Sequence, residues 1–206
     1  MSGGDGGGHD RGQTGLLVAL PAEAFARWPD GVRVDDGPPL AKKAELHVTL
    51  LNRADAARLA AHPRADTLRA RLAASGLLDA RAWLGGLGDE AWHLVENNPL
   101  GAVDALGAID ARGARADTVA VPIAHPEARA WFEALRAAGL DVATPPPHVT
   151  VWMRGTARGI GVPDAAALAR YRRATGPLTA LVADPGDPQE ASPWFPSGAH
   201  PGYPRP

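Results

Sequence analysis

The tripeptide His-Val-Thr occurs twice in this sequence, and each copy opens a short apolar segment. The first copy is 47–49 within ELHVTLL, and the second is 148–150 within HVTVWM. Alternating polarity and β-branched residues predict that both segments are strands. Side chains two residues apart share one face of a strand, so each histidine projects together with its threonine. Two such strands lying near each other would surround one small pocket with two imidazoles and two hydroxyls.

The rest of the chain alternates between strand and helix patterns. Strands are predicted at 14–20, 45–51, 118–123 and 148–153, with a hairpin of 82–87 and 90–96 around a Gly-Asp turn. Helices are predicted at 54–61, 65–78, 100–109, 126–138 and 164–172, with Asp164 as the N-cap of the last one. This order predicts an α+β fold with an antiparallel sheet. The two halves are similar enough to predict pseudo-twofold symmetry.

The chain has 206 residues, which fits one domain with tails. We predict a disordered Gly-rich N-terminus at 1–13, a single domain at 14–183 and a Pro/Gly-rich tail at 184–206. Trp194, Phe195 and Tyr203 are expected to pack back onto the domain. The N-terminal segment has no apolar run typical of a signal peptide, and the expected location is therefore the cytoplasm.

Composition excludes several classes of site. The sequence contains no cysteine, which rules out disulfides, thiolate nucleophiles and zinc sites built on sulfur. The formal net charge is −2, whereas proteins that bind long nucleic acids are usually basic. No apolar stretch approaches the roughly 20 residues that span a bilayer. These observations favour a short RNA end or a nucleotide as the binding partner, with no membrane. Nothing in the sequence predicts the oligomeric state.

The side chains of the repeated motif suit phosphodiester chemistry. A histidine has an ordinary pKa of about 6.5, so one imidazole can accept a proton while another donates to a leaving oxygen. The hydroxyls of Thr49 and Thr150 can hydrogen-bond the phosphate oxygens as charge builds there. This chemistry needs no metal and no cofactor. We therefore predict that His47 and His148 form an acid/base pair, with the role of each left open.

The paired H-x-T motifs, about a hundred residues apart, resemble those of the 2H phosphoesterase superfamily. The second half is most similar to the bacterial Swiss Army Knife branch, an RNA repair-like group. The similarity there runs over 131–161 and includes the strings PPPHVT and GIG. Over the whole chain the resemblance extends from residue 14 to about residue 172, and it is strongest at the two motifs.

The resemblance implies a bilobal fold with two antiparallel sheets, flanking helices and a central cleft in which the two motif strands lie side by side. It also implies metal-independent hydrolysis of a cyclic phosphate on a nucleotide or RNA end, commonly a 2′,3′-cyclic phosphate. Two alternatives stay open. One is a different phosphodiester, such as a cyclic oligonucleotide or an ADP-ribose-derived cyclic phosphate. The other is a nucleotide- or RNA-binding module without turnover.

Three further residues near the motifs are candidates for substrate binding. Trp152 is two residues beyond Thr150, so its ring should lie on the active face, where it could stack on a base. A core position is the alternative for this tryptophan. Lys43 and Arg154 flank the motifs and are candidates for phosphate contact. Lys43 shares strand parity with His47, which favours it over the adjacent lysine.

Overall fold

The computed structural model describes residues 15–35, 37–97, 115–155 and 159–182. Eight strands are present in this part of the chain: β1 Leu16–Ala19, β2 Gly31–Val32, β3 Leu40–Lys42, β4 His47–Leu51, β5 Glu90–Asn97, β6 Arg115–Pro122, β7 His148–Arg154 and β8 Arg172–Pro177. The helices are α1 Arg53–Ala61, α2 Ala65–Ala74, α3 Ala80–Leu84, α4 Ala128–Ala137, α5 Ala165–Tyr171 and α6 Thr179–Val182. A 3-10 helix at Ala22–Phe25 joins β1 to β2. The predicted α+β class is therefore confirmed.

The strands form one hydrogen-bonded antiparallel sheet in the order β1-β4-β7-β6-β5-β8. The short hairpin of β2 and β3 lies off this path and joins the sheet where β3 pairs with β7. Strand β7 consequently has β6 along one edge, while its other edge is shared by β4 and β3. This arrangement puts the second His-Val-Thr motif in the middle of the sheet.

Apolar clusters cover both faces of the sheet. The larger cluster includes Leu68, Trp83 and Phe132 from the helices together with Val48 and Val149 from the two motif strands. The smaller cluster lies around Trp92 and Leu94 of β5 and includes apolar residues that follow β7. Because alternate strand residues point to opposite faces, the valines of the motifs enter the larger core while the histidines and threonines face away from it.

Most predicted elements are confirmed, and two differences stand out. The predicted strand at 82–87 is wrong, because Ala80–Leu84 is a helix whose N-cap Asp79 accepts a hydrogen bond from the backbone N–H of Arg81. Its Trp83 side chain is buried and donates to the carbonyl of Leu77. Strand β8 was not predicted, since its sequence RRATGP lacks an apolar pattern. The predicted N-cap Asp164 is confirmed by its hydrogen bond to Ala167.

Some predictions fall on residues outside the described ranges, and one concerns the division of the fold into lobes. The helix predicted at 100–109, the termini at 1–13 and 184–206, and the packing of Trp194, Phe195 and Tyr203 lie outside the described residues. The hydrogen bonds join the strands into one sheet, so the division into two lobes stays a prediction. Within the described ranges, no helix combines the length and apolarity needed to cross a membrane.

Candidate active site

The two His-Val-Thr motifs lie side by side on β4 and β7. Val48 pairs with Val149, and both side chains have 0 % exposure. Counting outward from this antiparallel pair places each histidine across from the threonine of the other motif. The histidines and threonines are all half-buried, in contrast to the valines between them. The fold therefore brings together all four side chains that the repeated motif identifies.

All four side chains line one pocket of about 350 Å³. Besides the two strands, it is lined by the start of α1, by residues 143 and 145 before β7 and by residues 159–163. The lining residues are Lys43, His47, Thr49, Leu50, Asn52, Asp55, Ala143, Pro145, His148, Thr150, Gly159, Ile160, Gly161, Val162 and Pro163. This size lies at the lower end of the range for small-molecule sites, roughly 300–1,000 Å³.

His148 is held in one orientation by its own chain. Its Nδ1 lies 2.8 Å from the carbonyl oxygen of Pro146, and a carbonyl can only accept, so Nδ1 carries the hydrogen. In the neutral ring, Nε2 is then the atom with a free lone pair. Burial lowers the pKa of His148, the Pro146 carbonyl opposes this shift, and the nearby Lys43 cation adds to it. The favoured state of His148 is therefore a neutral imidazole that can accept a proton at Nε2.

His47 has a different environment. Burial lowers its pKa, and the positive charges of Lys43 and of protonated His148 act in the same direction. Glu45 opposes these effects and favours the protonated ring. No side-chain hydrogen bond fixes His47 among the described residues, whereas His148 is tied to a carbonyl. The two imidazoles thus occupy unequal environments despite their identical tripeptides.

Lys43 brings a positive charge to the pocket. Its backbone N–H donates to the carbonyl of Val151, which anchors this segment to β7. Its side chain is half-buried and lines the pocket, and burial lowers its pKa while Glu45 opposes that shift. The adjacent Lys42 instead donates to the carbonyls of Phe25 and Trp28 at 2.6 and 2.9 Å. Lys43 rather than Lys42 therefore lines the pocket, although it lies between β3 and β4 and not in a strand.

The position predicted for Trp152 is wrong. The side chain has 0 % exposure, belongs to the larger core and is not part of the pocket lining. It stacks on Trp28 with ring centroids 5.5 Å apart, and its Nε1 donates to the carbonyl of Pro29. A β-bulge explains the error, because Val119 pairs with Trp152 while the next residue of β6 pairs with Thr150. The extra residue in β7 breaks the alternation that would have put Trp152 on the active face.

Arg154 also lies away from the pocket, contrary to its predicted role in phosphate binding. Its guanidinium contacts the carboxylates of Asp35 and Asp117 at 2.9 Å each. Arg115 contacts the same two carboxylates, and His93 lies 2.8 Å from Asp117. Burial alone would raise the pKa of Asp117, but the hydrogen bonds from these three side chains hold it at about 2. Arg154 therefore acts in an ion-pair network that ties β7 to β5, β6 and the segment before β3.

This network is the one group in the described part of the chain with a geometry that a metal could use. Asp35, His93 and Asp117 offer ligand atoms within 4.8 Å of one another. However, the two arginines already pair with these carboxylates, and their positive charges would repel a cation. The group is also absent from the lining of the candidate pocket. The chemistry of these residues fits a buried ion-pair network better than a metal site.

A glycine-containing segment closes the pocket over Thr150. A Cβ atom on Gly159 would lie 3.1 Å from Cγ2 of Thr150, and this glycine has a φ of +72°. The next residue, Ile160, donates its backbone N–H to the buried hydroxyl of Thr118. This hydrogen bond fixes the segment that contains the GIG string. A side chain at position 159 would be in steric conflict with Thr150, the threonine of the second motif.

Asn52 and Asp55 line the pocket but were not predicted as site residues. Asn52 is the N-cap of α1: its Oδ1 accepts from the backbone N–H of Asp55 and its Nδ2 donates to the Asp55 carboxylate. A capping residue followed three positions later by an acidic side chain was the available signal. This pair fixes the start of α1 directly after β4, and so fixes one wall of the pocket.

Comparison with known proteins found no family model, no curated protein and no solved structure that matches this chain. Membership of the 2H phosphoesterases therefore stays a prediction, based on the motif residues alone.

Proposed function

We propose that this protein is a metal-independent phosphodiesterase that hydrolyses a cyclic phosphate of the 2′,3′ type on a nucleotide or RNA end. The observation that carries the proposal is the pairing of Val48 with Val149, which sets two identical His-x-Thr strands beside each other on one pocket. Two imidazoles and two hydroxyls around a small cavity supply the groups that acid/base cleavage of a phosphodiester needs.

The unequal environments of the histidines support a division of roles. We assign His148 as the general base, because its Nδ1–H is held by Pro146 and its Nε2 lone pair is free. Water attacks phosphorus and gives its proton to this Nε2, while the bond between phosphorus and one ribose oxygen breaks. That oxygen takes a proton from His47, the other imidazole of the pocket, whose pKa burial and Lys43 lower and Glu45 partly restores. The product is a phosphomonoester with a free hydroxyl.

Three other side chains would act on the phosphate. The hydroxyls of Thr49 and Thr150 can donate to its non-bridging oxygens, which gain negative charge in the transition state. The half-buried Lys43 ammonium attracts the anion into the pocket. A pocket of this composition needs no metal to neutralise charge. The tryptophan and arginine first considered for substrate contact have no part in this arrangement.

The two-lobed architecture of the 2H superfamily is part of the same proposal. Strands β4 and β7 share a single residue pair, whereas β6 pairs with its neighbours over six residue positions each. A narrow junction of this kind is expected where two lobes meet at a central cleft. The candidate pocket lies at this junction.

A substrate panel tests the proposed reaction class. EDTA-treated protein would be incubated with nucleoside 2′,3′-cyclic phosphates, 3′,5′-cyclic phosphates and a linear dinucleotide, and the products would be separated by chromatography. We expect turnover of the 2′,3′-cyclic compounds to a single phosphomonoester isomer. Turnover of only the 3′,5′-cyclic phosphates or the linear dinucleotide would replace the substrate class, and unhydrolysed but tightly bound nucleotide would support a binding module instead.

The segment after β7 provides a test of how Thr150 is positioned. Gly159→Ala introduces a Cβ 3.1 Å from Thr150 Cγ2 and requires a left-handed backbone that alanine disfavours by roughly 1–2 kcal/mol. We expect kcat/KM to fall by up to about 100-fold, because small displacements of reacting groups have effects of this order. Gly76→Ala is the matched control, since Gly76 has the same left-handed backbone with a φ of +75°, a Cβ there meets nothing within 4 Å, and it does not line the pocket. Equal rates for the two variants would contradict a positioning role for Gly159.

Lys43 provides a test of the electrostatics. Its charge lowers the pKa of both histidines, so Lys43→Met should raise both values. kcat/KM rises with pH as the base loses its proton and falls as the acid loses its proton. Both limbs of the profile should move to higher pH. The maximum should also be lower, because the phosphate loses a cation. A pH profile of unchanged position would show that Lys43 does not act on the histidines.

A further inference from the structure

A second concave surface lies beside the candidate pocket, separated from it by the segment that leads into His148. Pro145 lines the pocket, while the next two residues, Pro146 and Pro147, line a groove of about 420 Å³. Neighbouring Cα atoms are about 3.8 Å apart, so pocket and groove share a thin wall. The ring of Trp92, which also lines the groove, lies 6.2 Å from the ring of His148.

The groove has an apolar floor and a polar rim. Trp92, Phe132 and Pro146 contribute the apolar surface, and the first two belong to the buried core. At the rim lie Arg129, whose side chain is 87 % exposed, and the exposed Thr144. Arg129 pairs with Glu133 four residues later. A surface pair of this kind contributes little stability, so the guanidinium is free to turn toward an anionic ligand.

His125 also lines the groove, but its Nε2 is buried and its ring packs against Trp83 with centroids 4.8 Å apart, so this nitrogen does not reach a ligand in the groove. The apolar surface and the cation at the rim match two parts of a nucleotide: the faces of its base and its phosphate.

We propose that this groove binds the nucleotide that precedes the reacting one, so that the substrate is an RNA end of at least two nucleotides. The inference rests on the proposed function, since it places the cyclic phosphate of the last nucleotide in the pocket at His148. The base of the preceding nucleotide would lie against Trp92 and Pro146, and its phosphate would lie near Arg129. A dinucleotide would have to cross the wall formed by 145–147, which is only one residue thick between the pocket and the groove.

The test compares a nucleoside 2′,3′-cyclic phosphate with a dinucleotide that carries the same cyclic phosphate at its 3′ end. We expect kcat/KM to be higher for the dinucleotide by on the order of tenfold, mainly through a lower KM, which corresponds to one stacked base. Arg129→Glu and Thr144→Glu should remove this preference and leave the mononucleotide rate unchanged. Two matched controls, Arg69→Glu on an exposed pair of α2 and the uncharged Thr144→Gln, should keep it.

The outcomes separate the two proposals. Equal kcat/KM values for both substrates in the wild type, or a dinucleotide preference that survives both rim substitutions, would overturn the groove assignment and leave the phosphodiesterase intact. If neither the mononucleotide nor the dinucleotide is turned over, the proposed function is overturned and the groove assignment with it. Loss of the preference in the two rim variants alone, with the mononucleotide rate retained, is the result that supports the groove.

Discussion

His148→Ala is expected to lower kcat by about 100- to 10,000-fold, the usual contribution of a positioned general base. The variant removes the one imidazole of the pocket whose Nδ1–H is held by a carbonyl and whose Nε2 is therefore the acceptor in the neutral ring. His47→Ala should have an effect of similar size through loss of the acid. Because the two groups act in one step, the double variant should be little slower than the worse single variant. Initial rates under saturating substrate measure these effects.

A histidine outside the pocket serves as the control for this series. His62 lies at the end of α1, where its Nε2 contacts the carbonyl of Ala138, and it does not line the pocket. His62→Ala should therefore retain turnover. Circular dichroism and the urea midpoint would establish that the pocket variants remain folded. Additive losses in the double variant would contradict a concerted acid/base pair.

Asp117→Ala is expected to destabilise the fold by roughly 3–5 kcal/mol, the range for removal of one partner from a buried ion pair. The side chain has 1 % exposure and accepts hydrogen bonds from His93, Arg115 and Arg154. Without it, two cationic groups and a buried imidazole lose their shared acceptor. The urea midpoint at constant pH measures this loss of stability. Asp117 does not line the pocket, so the substitution alters none of the pocket residues.

An exposed acidic residue provides the matched control for Asp117. Asp66 pairs with Arg69 on the surface of α2, with its side chain fully exposed, and Asp66→Ala should leave the urea midpoint unchanged.

The stability of the wild type in acid should also show the effect of Asp117. Because its folded-state pKa of about 2 lies below the ordinary 3.8, its contribution of roughly 2 kcal/mol is present above pH 4 and is lost as the pH falls toward 2. A stability that is constant over this range would contradict the account of the network.

The candidate site could be predicted from the sequence because its four polar side chains belong to a tripeptide that occurs twice. Each His-x-Thr places two polar side chains on one strand face by geometry that depends only on neighbouring residues. The valine between them is apolar, which indicates the buried opposite face, and both valines are indeed fully buried. That β4 and β7 lie side by side is a long-range fact, and the sequence supported it only through the identity of the two motifs.

The errors have specific physical causes. Trp152 was misplaced because a bulge in β7 inserts one residue opposite β6, and nothing in HVTVWM signals that irregularity. Arg154 was assigned to the substrate because its proximity to the motif in sequence could not reveal Asp35, which is more than a hundred residues away. The helix at Ala80–Leu84 resembled a strand because its tryptophan and leucine are too few to define a period.

The two-histidine site would be tested by the pH dependence of hydrolysis of adenosine 2′,3′-cyclic phosphate by EDTA-treated protein. Wild type would be measured beside His47→Ala and His148→Ala. We expect an EDTA-resistant rate with a bell-shaped dependence of kcat/KM on pH, centred below 6.5 because burial and Lys43 lower the pKa of both histidines. Both variants should lose this rate at every pH. A rate that survives in both variants, or that returns only with added metal, would contradict the two-histidine site.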